Sequence, residues 1–216
     1  MADRNRRFTV AVAVMPLVLL AMSGLARAAT FTVVTPAELS IAITAANSIP
    51  GANTINFNAS ITLSSALPAI TSGSTLTING NGFTLDGASS FQILSVNSGA
   101  TLNLQFLTLK DGSVTGSGGA ILNDGTLTVA NSTLSDNHAT GRIVMFAFAG
   151  DGDGGAIFNN GTLTVTDSTL SANQALGANG FGGAIYNNGT LTVTNSTFFG
   201  QPGHRRARPR LWRRHP

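Results

Sequence analysis

GGAIYNNGTLTVTNST, at residues 182–197, has two close copies earlier in the chain. They are GGAIFNNGTLTVTDST at residues 154–169 and GGAILNDGTLTVANST at residues 118–133. The glycine that opens the shared GTLTV phrase falls at positions 125, 161 and 189, so successive units are 36 and 28 residues long. A period of this size indicates a repeat architecture in which each unit forms one structural turn.

Weaker copies of the phrase extend the repeat toward the N-terminus, as GATLNL at residues 99–104 and GSTLTI at residues 73–78. Each unit contains three short segments in which apolar residues alternate with small polar ones, a period of two that predicts strands. In the second full copy the segments are 156–158, 162–165 and 168–170. The sequence therefore predicts an all-β fold, a right-handed parallel β-helix over residues 29–199, with one coil per unit.

Asparagine and glycine mark the predicted corners, because both tolerate the positive φ that tight bends require. Asn recurs at one corner as Asn123, Asn159 and Asn187, and at another as Asn137 and Asn173. We expect these amides to stack in register and to form hydrogen-bonded ladders between coils. Ligand binding is the alternative, although Asn favours such turns without any ligand.

The N-terminal end of the stack has a candidate cap in the sequence TPAE at residues 35–38. Thr35 and Glu38 have the spacing of a capping box, with Pro36 at the first helical position. An apolar run follows, so we predict a short helix to about residue 47 that closes the core.

The first 28 residues have the pattern of an export signal. A short arginine-bearing start precedes an apolar run at residues 10–20, and the segment ends in small residues before Ala28. The apolar run is shorter than the roughly 20 residues that a membrane-spanning helix needs. We therefore predict a cleaved signal peptide over residues 1–28 and an exported protein. The chain has no cysteine, so neither disulfides nor thiol chemistry contributes.

Basic residues concentrate at the two ends of the chain. Between residues 30 and 200 only Lys110 and Arg142 are basic, against eight acidic residues, so the repeat region does not suggest a nucleic-acid partner. The basic tail at residues 200–216 breaks the repeat. Codons can be chosen for residues 199–216 that, read one base later, encode SGNQATGARGHGYGGGI, which restores the repeat. We interpret the tail as a frameshifted continuation; a genuine basic binding tail is the alternative.

The pairing of GGAI with a preceding phenylalanine or leucine, two variable residues and asparagine is the most specific motif. It occurs as LSDN (134–137) before GGAI (154–157) and as LSAN (170–173) before GGAI (182–185). This pairing resembles the repeat of polymorphic outer-membrane proteins, and the wider pattern resembles pectate-lyase-like right-handed β-helix surface proteins. The resemblance implies a secreted or outer-membrane surface protein, adhesin-like, that contacts surface glycans or proteins. Its usual C-terminal membrane module has no counterpart here.

Enzymatic chemistry finds little support in the repeat region. A polysaccharide lyase on this fold needs clustered carboxylates for Ca²⁺ and a basic residue as the base. Lys110 and Arg142 are the only basic candidates, and no repeat position stacks acidic residues in adjacent coils. We therefore predict no catalytic residue, metal ligand or cofactor. A fragment of a polysaccharide lyase or hydrolase is the alternative function.

Four further features are candidate sites. Asp151 and Asp153 superficially resemble part of a calcium loop but lack the remaining ligands. His138 is expected in a solvent-facing loop. The apolar segment 142–149, the excess of the longer unit, either bulges out to meet a partner or folds back. Outward threonines resemble the arrays of ice-binding proteins, although Thr is also a good strand residue; they are Thr126, Thr128, Thr162, Thr164, Thr190 and Thr192.

Overall fold

The strands stack as a parallel β-solenoid of about 6 turns, which confirms the predicted parallel β-helix. The structure is a computed structural model that describes residues 28–202, apart from positions 72, 145–146, 149–151 and 178–179. The predicted signal peptide, except Ala28, and the tail beyond residue 202 lie outside the described residues. Within the described range, no helix combines the length and hydropathy of a membrane span.

One helix and a series of short strands make up the described chain. In chain order they are β1 (Thr30–Val33), α1 (Pro36–Ser48), β2 (Gly51–Phe57), β3 (Ile61–Thr62), β4 (Ser74–Asn79), β5 (Thr84–Asp86), β6 (Leu94–Val96), β7 (Thr101–Gln105), β8 (Thr108–Lys110), β9 (Ser113–Thr115), β10 (Ile121–Asn123), β11 (Thr126–Ala130), β12 (Thr133–Ser135), β13 (His138–Thr140), β14 (Ile143–Val144), β15 (Ala147–Phe148), β16 (Ile157–Asn159), β17 (Thr162–Thr166), β18 (Thr169–Ser171), β19 (Gln174–Leu176), β20 (Ile185–Asn187), β21 (Thr190–Thr194) and β22 (Thr197–Phe199).

Equivalent strands of successive coils pair side by side and form four parallel sheets. Sheet A has seven strands in the order β1-β2-β4-β7-β11-β17-β21, and sheet B has six in the order β22-β18-β12-β8-β5-β3. Sheet C has the order β20-β16-β10-β6, and sheet D has the order β19-β13-β9. A complete coil thus has four strands, where the sequence predicted three. The unpredicted strands β9, β13 and β19 form sheet D, and each is only three residues long.

The core is a stack of aliphatic side chains in register. Leu127 pairs with Leu163 and Val129 with Val165 in adjacent strands of sheet A, and all four are buried. Strand alternation turns these residues inward and the intervening threonines outward, as predicted. Each coil therefore buries its apolar face only together with its neighbours.

Helix α1 begins with the predicted capping box. The Thr35 hydroxyl accepts a hydrogen bond from the Glu38 N–H at 3.2 Å, and the Glu38 carboxylate accepts from the Thr35 N–H at 3.2 Å. The buried residues of the helix, including Leu39 and Ile43, belong to the same core as the coils. At the C-terminal end, buried Asn53 donates to the Ile49 carbonyl at 2.8 Å, which satisfies a group that helix ends otherwise leave unpaired.

The repeated glycines meet two separate requirements. Gly154 and Gly182, the first glycines of GGAI, have φ of +66° and +67°, a left-handed conformation that glycine adopts without strain. Gly155 does not lie in that region; a Cβ there would collide with the Gly183 carbonyl of the next coil. A Cβ on Gly161 would collide in the same way with the Gly125 carbonyl of the preceding coil. The explanation by positive φ is therefore wrong for these stacked glycines, which allow adjacent backbones to approach.

Candidate functional site

The corner asparagines form the predicted ladders inside the stack. Asn123 Nδ2 donates to Asn159 Oδ1 at 2.6 Å, and Asn159 Nδ2 donates to Asn187 Oδ1 at 2.6 Å. In the second ladder, Asn137 Nδ2 donates to Asn173 Oδ1 at 2.9 Å. Asn123, Asn137, Asn159 and Asn173 are fully buried. Apart from Asn123 Oδ1, the polar atoms of these amides bond to one another and to the corner backbone, so their role is architectural.

The first ladder ends abruptly at its N-terminal side. Asn123 pairs in register with Val96 of the preceding coil. The valine side chain has no group that could donate a hydrogen bond to Asn123 Oδ1. Asn123 Oδ1 is buried and has no hydrogen-bond partner among the described residues. An orphaned buried acceptor destabilises a fold by roughly 1–3 kcal/mol. This atom lies inside the core, away from any surface that a ligand could reach.

Lys110, one of the two candidate bases, is held in a small acidic cluster on sheet B. Its Nζ lies 2.7 Å from Asp111 Oδ2 and 2.8 Å from Asp86 Oδ2. Hydrogen bonds from the lysine to Asp111 and then Asp86 outweigh burial and raise the pKa of Lys110 above its ordinary value. A lysine held protonated in this way cannot act as a general base near neutral pH.

Asp86 shows the reciprocal effect. Burial alone raises the pKa of its carboxyl, but the hydrogen bonds from Lys110 and from the Ala88 N–H, with the charge of the lysine, lower it overall. The Asp86–Lys110 pair joins adjacent coils, since the two residues are register partners in β5 and β8. The cluster therefore links two adjacent coils by an ion pair.

The other charged candidates do not assemble into a site. Asp153 Oδ1 accepts a hydrogen bond from the Phe181 N–H of the following coil at 2.8 Å, while Asp151 lies outside the described residues. His138 is a half-buried residue of strand β13, so the expectation of a loop histidine is wrong. Among the described residues, no group of three or more His, Cys, Asp or Glu side chains could hold a metal ion.

The 36-residue unit contains a short antiparallel pair of strands, the hairpin of β14 and β15. β14 and β15 pair antiparallel, with Ile143 opposite Phe148 and Val144 opposite Ala147. Arg142 precedes the hairpin and is exposed. The hairpin side chains lie outside the described residues, so the alternatives of a protruding or folded-back apolar loop stay open.

The outer face of sheet A is its most regular surface. Two columns of outward residues run across the sheet, interrupted only by Ala52 and Asn103, and a third column contains only Thr, Asn, Gln and Ala. The first two columns contain Ala52, Thr75, Thr101, Thr126, Thr162 and Thr190, and Thr30, Thr54, Thr77, Asn103, Thr128, Thr164 and Thr192. No residue in these three columns is charged. The threonines considered from the sequence therefore share one uncharged face.

Two shallow grooves flank this face. One, of about 380 Å³, lies where the strands of sheet A begin, and its lining includes Gly51, Gly73 and Gly99. The other, of about 350 Å³, lies at the corner between sheets A and B. Its lining includes Phe106, whose side chain is half-exposed. Sequence reasoning did not single out Phe106, because it differs from the repeat at one position within a weak copy.

No model of a known protein family, no curated protein and no solved structure matches this chain. The resemblance to polymorphic outer-membrane proteins thus rests on the sequence motif alone. The surfaces have to be interpreted from their own chemistry, and the regular face of sheet A and the groove at Phe106 are the candidates.

Proposed function

We propose that this chain is an exported, surface-exposed or secreted β-helix protein that acts by binding, in an adhesin-like role without catalysis. The observation that carries the proposal is the outer face of sheet A. Seven strands about 4.8 Å apart make this face roughly 30 Å long. A continuous uncharged surface of this length suits an extended partner better than a small substrate enclosed in a pocket.

The chemistry of the face indicates the class of partner. Each threonine presents one hydroxyl, a donor and acceptor, next to one methyl group. Such a surface forms hydrogen bonds and apolar contacts but has no charge with which to select a strongly charged polymer. Neutral surface glycans and uncharged protein surfaces fit it best.

The pattern at residues 1–28 supports export, and the resemblance supports outer-membrane association through a C-terminal module. Export can be tested on the full gene expressed with its own leader. We expect the chain outside the cytoplasm, with a mature N-terminus at about Ala29. A cytoplasmic chain that keeps Met1 would contradict the proposed location.

Binding by the face is tested with a double variant, Thr128→Lys with Thr164→Lys, which places two adjacent charges in the middle column. The control is Thr169→Lys with Thr197→Lys, which adds the same charge to the neighbouring sheet B. Binding is measured on arrays of glycans and extracellular proteins. We expect the first variant to lose about tenfold in affinity and the control to bind normally. Equal binding by the wild type and the sheet A variant would contradict the role of this face.

The repeating threonine columns also favour a second candidate, adsorption to ice, whose surface is an ordered lattice of water. An ice-recrystallisation assay on the same proteins tests it. Inhibition by the wild type and the sheet B control, with none by the sheet A variant, would favour ice over a glycan or protein partner. The polysaccharide-enzyme alternative predicts release of unsaturated or reducing sugar, and no activity on a polysaccharide panel would count against it.

A further inference from the structure

One corner position breaks the pattern of the stack. Between sheets A and B each regular coil turns at a residue with positive φ, and in three coils this residue is Asn131, Asp167 or Asn195, with φ of 49°, 50° and 49°. Backbone hydrogen bonds link this corner from coil to coil: the Phe106 N–H donates to the Ala130 carbonyl at 3.2 Å. Phe106 occupies the equivalent position one coil earlier, with φ of 52°.

Phenylalanine is a poor residue for this backbone. Asn and Asp adopt the left-handed conformation readily, whereas other residues with a Cβ are strained there by the contact of the Cβ with the following carbonyl oxygen. Burial does not compensate, because 49% of the Phe106 surface is exposed and the residue is not part of the buried core. A bulky residue held in an unfavourable conformation at the surface points to a binding role.

The surroundings of Phe106 complete a small groove. Its lining includes Asn81 of the preceding coil and Asn131 of the following coil, together with Thr108 and Thr133. Asn81 Nδ2 donates to the Phe57 carbonyl at 2.9 Å, which leaves its Oδ1 free to accept. The side-chain amide of the exposed Asn131 makes no hydrogen bond within the described part of the chain, while its backbone N–H donates to the Thr166 carbonyl at 3.1 Å. Among the residues that the structure describes, none that lines the groove is charged.

We propose that this groove binds a neutral saccharide, with a sugar ring against Phe106. The apolar C–H face of a pyranose packs on an aromatic ring, and its hydroxyls both donate and accept. Asn131 offers both kinds of hydrogen-bonding group, Asn81 offers an acceptor, and the threonine hydroxyls offer more. The volume of about 350 Å³ is at the small end of ligand sites, which suits one or two rings of a longer chain. This inference rests on the proposed binding role and names a glycan contact outside the face of sheet A.

The decisive variant is Phe106→Asn, which installs the residue that the same corner uses elsewhere. Cellohexaose, chitohexaose, maltohexaose and hexagalacturonate are titrated into the purified full chain by calorimetry and NMR. We expect at least one neutral hexasaccharide to bind and hexagalacturonate to bind more weakly. Loss of the aromatic anchor in Phe106→Asn should weaken neutral binding by about tenfold. Its Tm should equal or exceed that of the wild type, because asparagine relieves the strained backbone.

Two further variants sharpen the test. Asn131→Gly keeps the left-handed corner but removes the amide, and should weaken binding by about threefold. Phe181→Asn is the matched control, since Phe181 is 57% exposed and does not line the groove; its affinity should change by less than about twofold.

Four outcomes would overturn the inference: no neutral hexasaccharide binds, hexagalacturonate binds as tightly, Phe106→Asn binds as the wild type does, or Phe106→Asn lowers the Tm by several degrees. The double sheet A variant is titrated in parallel. Loss of binding in Phe106→Asn alone supports the corner site and counts against the face, whereas loss in the face variant alone overturns the corner site.

Discussion

Two corners of the same stack use their side chains in opposite ways. At the corner of Asn123, Asn159 and Asn187, one residue type recurs in successive coils, and two of the three side chains are fully buried. At the corner of Phe106 and Asn131, the residue type changes between coils and the side chains are exposed. The first corner shows what the stack needs in order to form, and the second shows where the stack permits variation that a ligand can use.

The comparison predicts that the most severe substitutions lie in the buried ladder. Asn159→Ala removes the bond from Asn123 Nδ2 and the donors to Asn187 Oδ1 and to the Thr190 carbonyl. We expect a loss of about 4 kcal/mol in the free energy of unfolding, because several buried groups lose partners at once. Urea unfolding followed by circular dichroism measures it.

Asn160→Ala is the control for the ladder. Asn160 is the neighbouring residue, and its exposed side chain donates to Asp124 Oδ1 at 2.8 Å. We expect a loss below about 1 kcal/mol, typical of a surface position. If Asn159→Ala were as mild as Asn160→Ala, the buried ladder would not be a main support of the stack.

The next largest effect is expected where backbones touch. In Gly155→Ala the new methyl group meets the Gly183 carbonyl of the following coil, and its other close contacts are also backbone atoms. Since these atoms cannot move independently, we expect a loss of about 3 kcal/mol. Gly200→Asn is the control, because asparagine tolerates a φ of +62° and the nearest atom to the added Cβ is 3.8 Å away. Equal melting temperatures for Gly155→Ala and the wild type would refute the close-packing explanation.

The smallest effect belongs to the outward ion pair. Lys110→Ser installs the residue found at the paired positions Ser135 and Ser171 of later coils. The loss at pH 7 should be at most about 1 kcal/mol, because the lysine side chain is 39% exposed and solvent screens the pair. Urea unfolding at several pH values measures it.

The pH dependence of that variant has a definite sign. The pKa of Asp86 is below its ordinary value of 3.8 in the folded chain, so its contribution is present above pH 3.8 and is lost as pH falls through the folded pKa. The difference between Lys110→Ser and the wild type should therefore stay constant from pH 5 to 8 and shrink below pH 3.8. A difference that grows in acid would contradict the pairing.

The sequence predicted the residues that face the core because the patterns that place them there are strict. Alternation placed Leu163 and Val165 in the core, and a recurrent asparagine next to a strand predicted the ladder. Sheet D was missed because HAT at 138–140 and QAL at 174–176 bury only one small side chain each, Ala139 and Ala175. Such short segments have no period to detect, and the same error placed His138 in a loop.

The outward-facing residues were harder to predict. Which of them are neighbours on the surface depends on how the coils are aligned with one another. Aligning LNLQFLTL at 102–109 with LTVANSTL at 127–134 would have placed Phe106 at the Asn131 position. The unfavourable φ of Phe106 and its free asparagine neighbour emerge only from the folded chain. The Thr columns were visible in the three close copies, but their extension to Thr30 and Thr54 depended on the register of the divergent first coils.

The hairpin of β14 and β15 shows how the stack treats added sequence. The unit that contains it has 36 residues and the next has 28, yet Ile121, Ile157 and Ile185 remain in register across both. The strands before and after the extra residues therefore keep their register with the neighbouring coils. The segment between β13 and β16 is therefore a natural point of insertion. A foreign loop could be added there without changing the packing of the core.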